Sequence, residues 1–171
     1  MKMDETDIHL CPDLKTKSLH LKGKQVVVKS PGQKEVAYLF GSVNPLTGEG
    51  LYEIYEQKTS CEFCFHVDHL LETFSNYFIF LVGDNAPSLD SAVTINFLKE
   101  HQDRIEFVPL PTYSPTLNEI ERLWKLIRDN LTRNYFYAGL EQECQAIMDY
   151  LETLPFQDVV DLLGVVKKLT T

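Results

Sequence analysis

The run YFIFLVGDN, residues 77–85, constrains the fold more than any other stretch of the chain. A continuous apolar segment closed by Gly-Asp-Asn predicts a strand buried on both faces, the habit of strands in a parallel sheet. Residues 88–101 read as a helix, with Ser88 as its cap and Leu89, Val93, Ile95, Phe97 and Leu98 turned to the core. RIEFVPLP, residues 104–111, is a further strand, broken by Pro109 and Pro111. A strand–helix–strand crossover implies parallel pairing with a right-handed connection. Ligands of open α/β sheets gather at the carboxyl ends of strands, and Asp84 sits at such an end.

Upstream, residues 3–10, 24–29, 35–43 and 50–57 read as strands, the last two joined by the turn NPLTG at 44–48. They suggest an antiparallel meander. Residues 60–75 place Phe63, Val67, Leu70, Leu71 and Phe74 at helical spacing. Further helices are expected near 116–131, 139–153 and 156–168. The class is therefore α/β, a mixed sheet flanked by helices. A length of 171 residues suits one domain, with residues 1–135 as its core and the helices of 136–171 packed on that core.

No stretch approaches the roughly 18 apolar residues of a membrane span, and the first residues lack the apolar core of a signal peptide. A cytoplasmic protein with free thiols is the expectation. Cys61, Cys64, His66 and His69 could be half of a zinc site, but Cys11 and Cys144 are isolated, so packed or surface thiols are the better reading. A net charge of −9 argues against non-specific nucleic-acid binding by the whole surface, yet allows an acidic pocket that holds cations against a phosphate.

Three acidic places could form such a pocket. Asp4 lies in a predicted strand, where aspartate is disfavoured. Asp84 follows the apolar run, where it is also ordinary turn chemistry. Glu119 and Glu121 stand near a helix start, where acids are favoured in any case. Carboxylates converging from separate elements would suit hard divalent cations, which prefer oxygen ligands. At about 100° per residue, Leu117, Ile120, Trp124, Ile127 and Leu131 form one apolar stripe, with Glu121 and Glu119 near its opposite borders. Periodicity does not choose between the two glutamates. Lys125, Arg128 and Arg133 are candidate phosphate contacts, set against ordinary solvated helix charges.

GDNAPS (83–88) and LPTYSPTLNEIERLWKLIR (110–128) resemble the two downstream signature blocks of DDE transposases, in the bacterial insertion-sequence family related to mariner elements. MDETDIHLCPD (3–13) resembles the block carrying the first aspartate, and FGSVNPLTG (40–48) the hairpin after it. The resemblance implies an RNase H-like fold, shared with retroviral integrases. It implies DNA cleavage and strand transfer with two Mg²⁺ or Mn²⁺ ions held by a catalytic triad of Asp4, Asp84 and Glu121. Partners implied are double-stranded DNA, as element ends and target, and a candidate homodimer mate. Relatives also carry an N-terminal helix-turn-helix region, not encoded before Asp4, so the chain alone should not recognise element ends specifically. The alternative is an inactive RNase H-like module that binds DNA or protein without cutting.

Two departures bear on the site. Glu119 stands where that family usually has proline, and is expected to face water. The strand carrying Asp4 is short upstream, which predicts a central strand that pairs through only a few residues and a weakened sheet or a supplied partner segment.

Overall fold

The computed structural model describes residues 1–10, 35–85, 87–111, 117–133 and 135–164. Five strands form one sheet: β1 (Lys2–His9), β2 (Val36–Val43), β3 (Gly50–Tyr55), β4 (Ile79–Gly83) and β5 (Ile105–Pro109), in the order β3-β2-β1-β4-β5. β1, β2 and β3 pair antiparallel, whereas β1 with β4 and β4 with β5 pair parallel. The strand expected at 24–29 lies outside the described residues. Helices α1 (Ser60–Thr73) and α2 (Ala92–Glu100) cover one face; α3 (Glu121–Ile127), α4 (Leu140–Thr153) and α5 (Phe156–Leu163) lie against β1–β3 on the other.

Strand alternation sorts the core into two halves. Met3, Phe40, Leu81 and Ile105 meet Phe63, Val67, Leu70 and Leu71 of α1. Ile8, Leu39 and Val43 meet Ile120, Leu123, Trp124, Ile147, Leu151 and Leu163 on the other side. A capping box starts α1: the Thr59 side chain accepts from the Cys61 amide, and the Glu62 carboxylate accepts from the Thr59 amide. Arg122 Nη1 donates to the carbonyl of Leu163 at 2.6 Å, so α3 satisfies the last turn of α5 just before left-handed Gly164 (φ 67°).

Several expectations change. β4 is buried on one face only: Phe78 and Phe80 are about half exposed (47% and 55%), because no described helix covers β4 and β5 on the α3 side. An apolar run therefore did not mean two covered faces. A 3₁₀ turn (Pro87–Asp90) precedes α2, and Ser91, not Ser88, caps it through the Thr94 amide. That shift of register leaves Val93 and Ile95 exposed, while Leu89, Phe97 and Leu98 pack on the core. Helix α3 begins at Glu121 rather than near 116, and continues from Arg128 to Thr132 as a π turn. The few-residue pairing expected of this central strand holds on one side only: β1 pairs with β4 through Lys2↔Val82 alone, but with β2 over all eight of its residues. Among the described residues, no helix is long and apolar enough to cross a membrane.

Glu143 in the first turn of α4 is only 3% exposed, and burial pushes its carboxyl up to about 7. Its ordinary value is about 4.3, so the folded state binds more protons than the unfolded chain between those two values. Stability should fall as pH rises through that window. Glu143→Gln is expected to raise the melting temperature at pH 8, by a stabilisation of about 1–3 kcal/mol, and to leave it unchanged at pH 4. Thermal unfolding at the two pH values checks this.

Candidate active site

The parallel register Lys2↔Val82, continued by two residues, sets Asp4 opposite Asp84. The two carboxylates reach one place from different logic: Asp4 sits inside β1, and Asp84 is the first residue past β4. They line a small cavity together with Met3, Glu5, Phe63, Gly83, Leu89 and Phe107. Three acids and no basic side chain are among these lining residues. Burial raises the Asp4 carboxyl to about 7, with the charges of Glu5 and Asp84 adding to the effect and hydrogen bonds from Trp124 and the Glu5 backbone opposing it.

Each aspartate is held by the segment that follows β5. Trp124 Nε1–H donates to Asp4 Oδ2 at 2.9 Å. Asn118 Nδ2–H donates to Asp84 Oδ1 at 3.4 Å. Trp124 is 2% exposed and is thus the core anchor expected, with a polar edge spent on the site. Gly41, directly opposite Asp4 on β2, makes this possible: a Cβ there would lie 2.4 Å from Trp124 Cη2. Sequence reading missed Asn118 and Gly41. Asn118 lay inside the quoted motif without a role, and Gly41 beside Asp4 is visible only once the strands pair.

Glu121, the third predicted acid, is exposed at the start of α3, three residues before Trp124. It does not line the cavity with Asp4 and Asp84. Among the described residues no group of three His, Cys, Asp or Glu side chains is arranged to hold an ion. The structure thus brings two of the three together and sets the third on the adjoining helix. Glu119 does not face water, contrary to expectation. It is 7% exposed, and its Oε2 lies 3.0 Å from Lys2 Nζ. The reason is the late start of α3, which leaves Glu119 in a turn pressed against β1 instead of on a helix border. Of the basic candidates, Lys125 is exposed, Arg128 Nη1 donates to Thr6 Oγ1 at 3.2 Å, and Arg133 pairs with Asp129.

The two histidines of the Cys-His cluster are engaged by Glu53. His66 Nδ1 and His69 Nδ1 lie 2.7 and 2.5 Å from the two oxygens of Glu53, and Ser42 Oγ lies 2.9 Å from His66 Nε2. A carboxylate only accepts, so both Nδ1 atoms donate. Burial opposes ionisation of Glu53, but the hydrogen bonds from His66, His69 and Tyr55, with the charge of His66, together outweigh it and bring the carboxyl down to about 2. Cys61 is exposed, Cys64 buried and Cys144 half-buried, all as free thiols; Cys11 lies outside the described residues. The Ser42–His66–Glu53 order imitates a nucleophile–base–acid relay. Ser42 and His66 are fully buried, however, so no substrate reaches them. Their role is to tie β2, β3 and α1. Ser42→Ala should cost about 1–3 kcal/mol in denaturant unfolding, by stranding a buried imidazole nitrogen.

Comparison with known proteins adds the family. The DDE superfamily endonuclease family matches residues 1–142. An insertion element IS630 uncharacterized 39 kDa protein of Shigella sonnei is 34% identical over 155 residues, covering 90% of this chain and 45% of that protein. The chain thus spans about half the length of the curated relative it matches. The Mos1 mariner paired end complex with Mn superposes with a TM-score of 0.75 at 16% identity, over 95% of this chain and 50% of that one. The catalytic domain of Mos1 mariner transposase gives 0.64 at 15% identity, over 82% and 72% respectively. The shared architecture is the RNase H-like fold, with the mixed five-stranded sheet described above.

Proposed function

We propose, starting from the fact that this chain belongs to the DDE superfamily endonucleases, that it is the catalytic part of an insertion-sequence transposase, cleaving and joining DNA strands with divalent metal ions. The observation that carries this reading is the juxtaposition of Asp4 and Asp84 across β1 and β4 in an acidic cavity. Oxygen-only donors of this kind fit Mg²⁺ or Mn²⁺, which take few protein carboxylates and keep positions for water and phosphate. A Mos1 paired end complex is known with Mn and another with Mg, which supports the same choice of ion.

In this reading Asp4 and Asp84 would hold the metal, and Glu121 would complete the ligand set from α3. Two such ions, if bound, would supply activation of a water or a 3′-hydroxyl and stabilisation of the leaving oxygen of a phosphodiester. The chain itself contributes orientation: Trp124 fixes Asp4, Asn118 fixes Asp84, and Leu89 and Phe107 wall the cavity with apolar surface. Lys125 is the exposed candidate for a phosphate contact; Arg128 and Arg133 are engaged within the chain and would serve DNA only by exchanging those partners. Recognition of element ends is assigned to a helix-turn-helix region outside these residues, so a gel shift with end DNA should detect no sequence preference.

Calorimetric titration with Mn²⁺ near neutral pH, together with a nicking assay on end DNA with and without the ion, tests the proposal. Binding and ion-dependent nicking are the expected results. The exposed position of Glu121, away from the two aspartates, favours a second reading, a binding module that does not cut. Absence of Mn²⁺ binding and of nicking would select it.

A further inference from the structure

One face of β1 meets α3 and its lead-in through a run of polar contacts. Lys2, Asp4 and Thr6 alternate onto this face. Lys2 Nζ lies 3.0 Å from Glu119 Oε2 and donates to the Leu117 carbonyl at 3.0 Å. Trp124 Nε1–H donates to Asp4 Oδ2 at 2.9 Å, and Arg128 Nη1 donates to Thr6 Oγ1 at 3.2 Å. The spacing is physical. Two residues of strand advance about 6.8 Å, and four residues of helix, from Trp124 to Arg128, about 6 Å. Strand and helix can therefore stay in step across these pairs. Lys2 stands two residues before Asp4 and Glu119 two before Glu121, so their ion pair joins the two segments that bear acids. Both partners are largely shielded from water (side chains 18% and 7% exposed), where a pair couples more strongly than at the surface.

We propose that this seam is a positioning device for the metal site. Trp124 sets the orientation of the Asp4 carboxylate, and the Lys2–Glu119 pair sets the turn that launches Glu121. The inference rests on the metal-site reading above, and it gives Glu119 a purpose as an acid. Gly41 belongs to the same device, because its missing side chain is the space that Trp124 fills.

The full chain offers a direct probe, since Trp124 is its single tryptophan and gives one indole N–H resonance. That resonance should exchange slowly with solvent, move in Asp4→Asn, and move on addition of Mg²⁺. Trp124→Phe keeps a ring in the core but removes the donor; it should stay folded and bind Mn²⁺ about 10–100-fold more weakly, the range for groups that orient metal ligands. Lys2→Met and Glu119→Gln should each weaken Mn²⁺ binding, and the exchange Lys2→Glu with Glu119→Lys should recover part of the loss. Wild-type Mn²⁺ affinity in folded Trp124→Phe and in both single charge variants would overturn the proposal. If the unmodified chain binds no Mn²⁺ and its indole resonance ignores Mg²⁺, the metal-site reading fails first. The seam is then judged by the indole alone. Slow exchange that becomes fast in Asp4→Asn keeps it as a strand–helix tie, and fast exchange in the unmodified chain overturns it as well.

Discussion

Asp84→Asn is expected to lose ion-dependent nicking of end DNA by more than about 100-fold, beyond the 10–100-fold effect of disturbing a group that only orients a ligand. The substitution keeps the shape of the side chain and leaves an oxygen for Asn118 Nδ2, so the fold should be untouched. It removes one of the two facing negative charges, and a neutral amide is a poor ligand for a hard cation. Asp84 is exposed and lies beyond the end of β4, and the buried Asn118 amide keeps an acceptor in the variant's side-chain oxygen. Nicking assays and Mn²⁺ calorimetry on the variant should therefore fall together while the melting temperature stays within a few degrees. Nicking at the wild-type rate would remove Asp84 from the site. A large drop in melting temperature would show a structural role instead.

Gly41→Val should be among the most damaging single changes to the sheet. The added Cβ alone would lie 2.4 Å from Trp124 Cη2, 3.0 Å from Trp124 Cζ2 and 3.1 Å from Tyr52 Cδ1. Those neighbours cannot yield cheaply, because Trp124 is packed among Leu39, Ile120, Leu123 and Ile127. Overpacking of this kind costs about 1–3 kcal/mol, and the branched side chain belongs at the upper end. The displacement has a second consequence, since the ring that must move is the one bonded to Asp4. Denaturant unfolding should show the stability loss, and the indole resonance of Trp124 should lose its protection from exchange. Gly41→Ala should show the same two effects more weakly. An unchanged midpoint with an unchanged indole signal would mean that the strand shifts to admit the side chain.

The order of strands and helices, the antiparallel meander and the parallel crossover were all legible in the sequence. They follow from periodicity and from turn residues, which are local properties. The two aspartates were legible as candidates, one by its unfavourable place in a strand and the other by following the apolar run. Tertiary structure decided the rest. Phe80 lies in an apolar run yet faces outward, because helix placement and not composition determines which sheet face is covered. Glu119 was expected in water and is buried, because the start of α3 at Glu121 turns it toward Lys2 on a strand more than a hundred residues away. The seam joining Lys2, Asp4 and Thr6 to Glu119, Trp124 and Arg128 has no signature in either segment alone. It exists only because strand rise and helix rise come into step when the two elements meet, and that coincidence is set by packing.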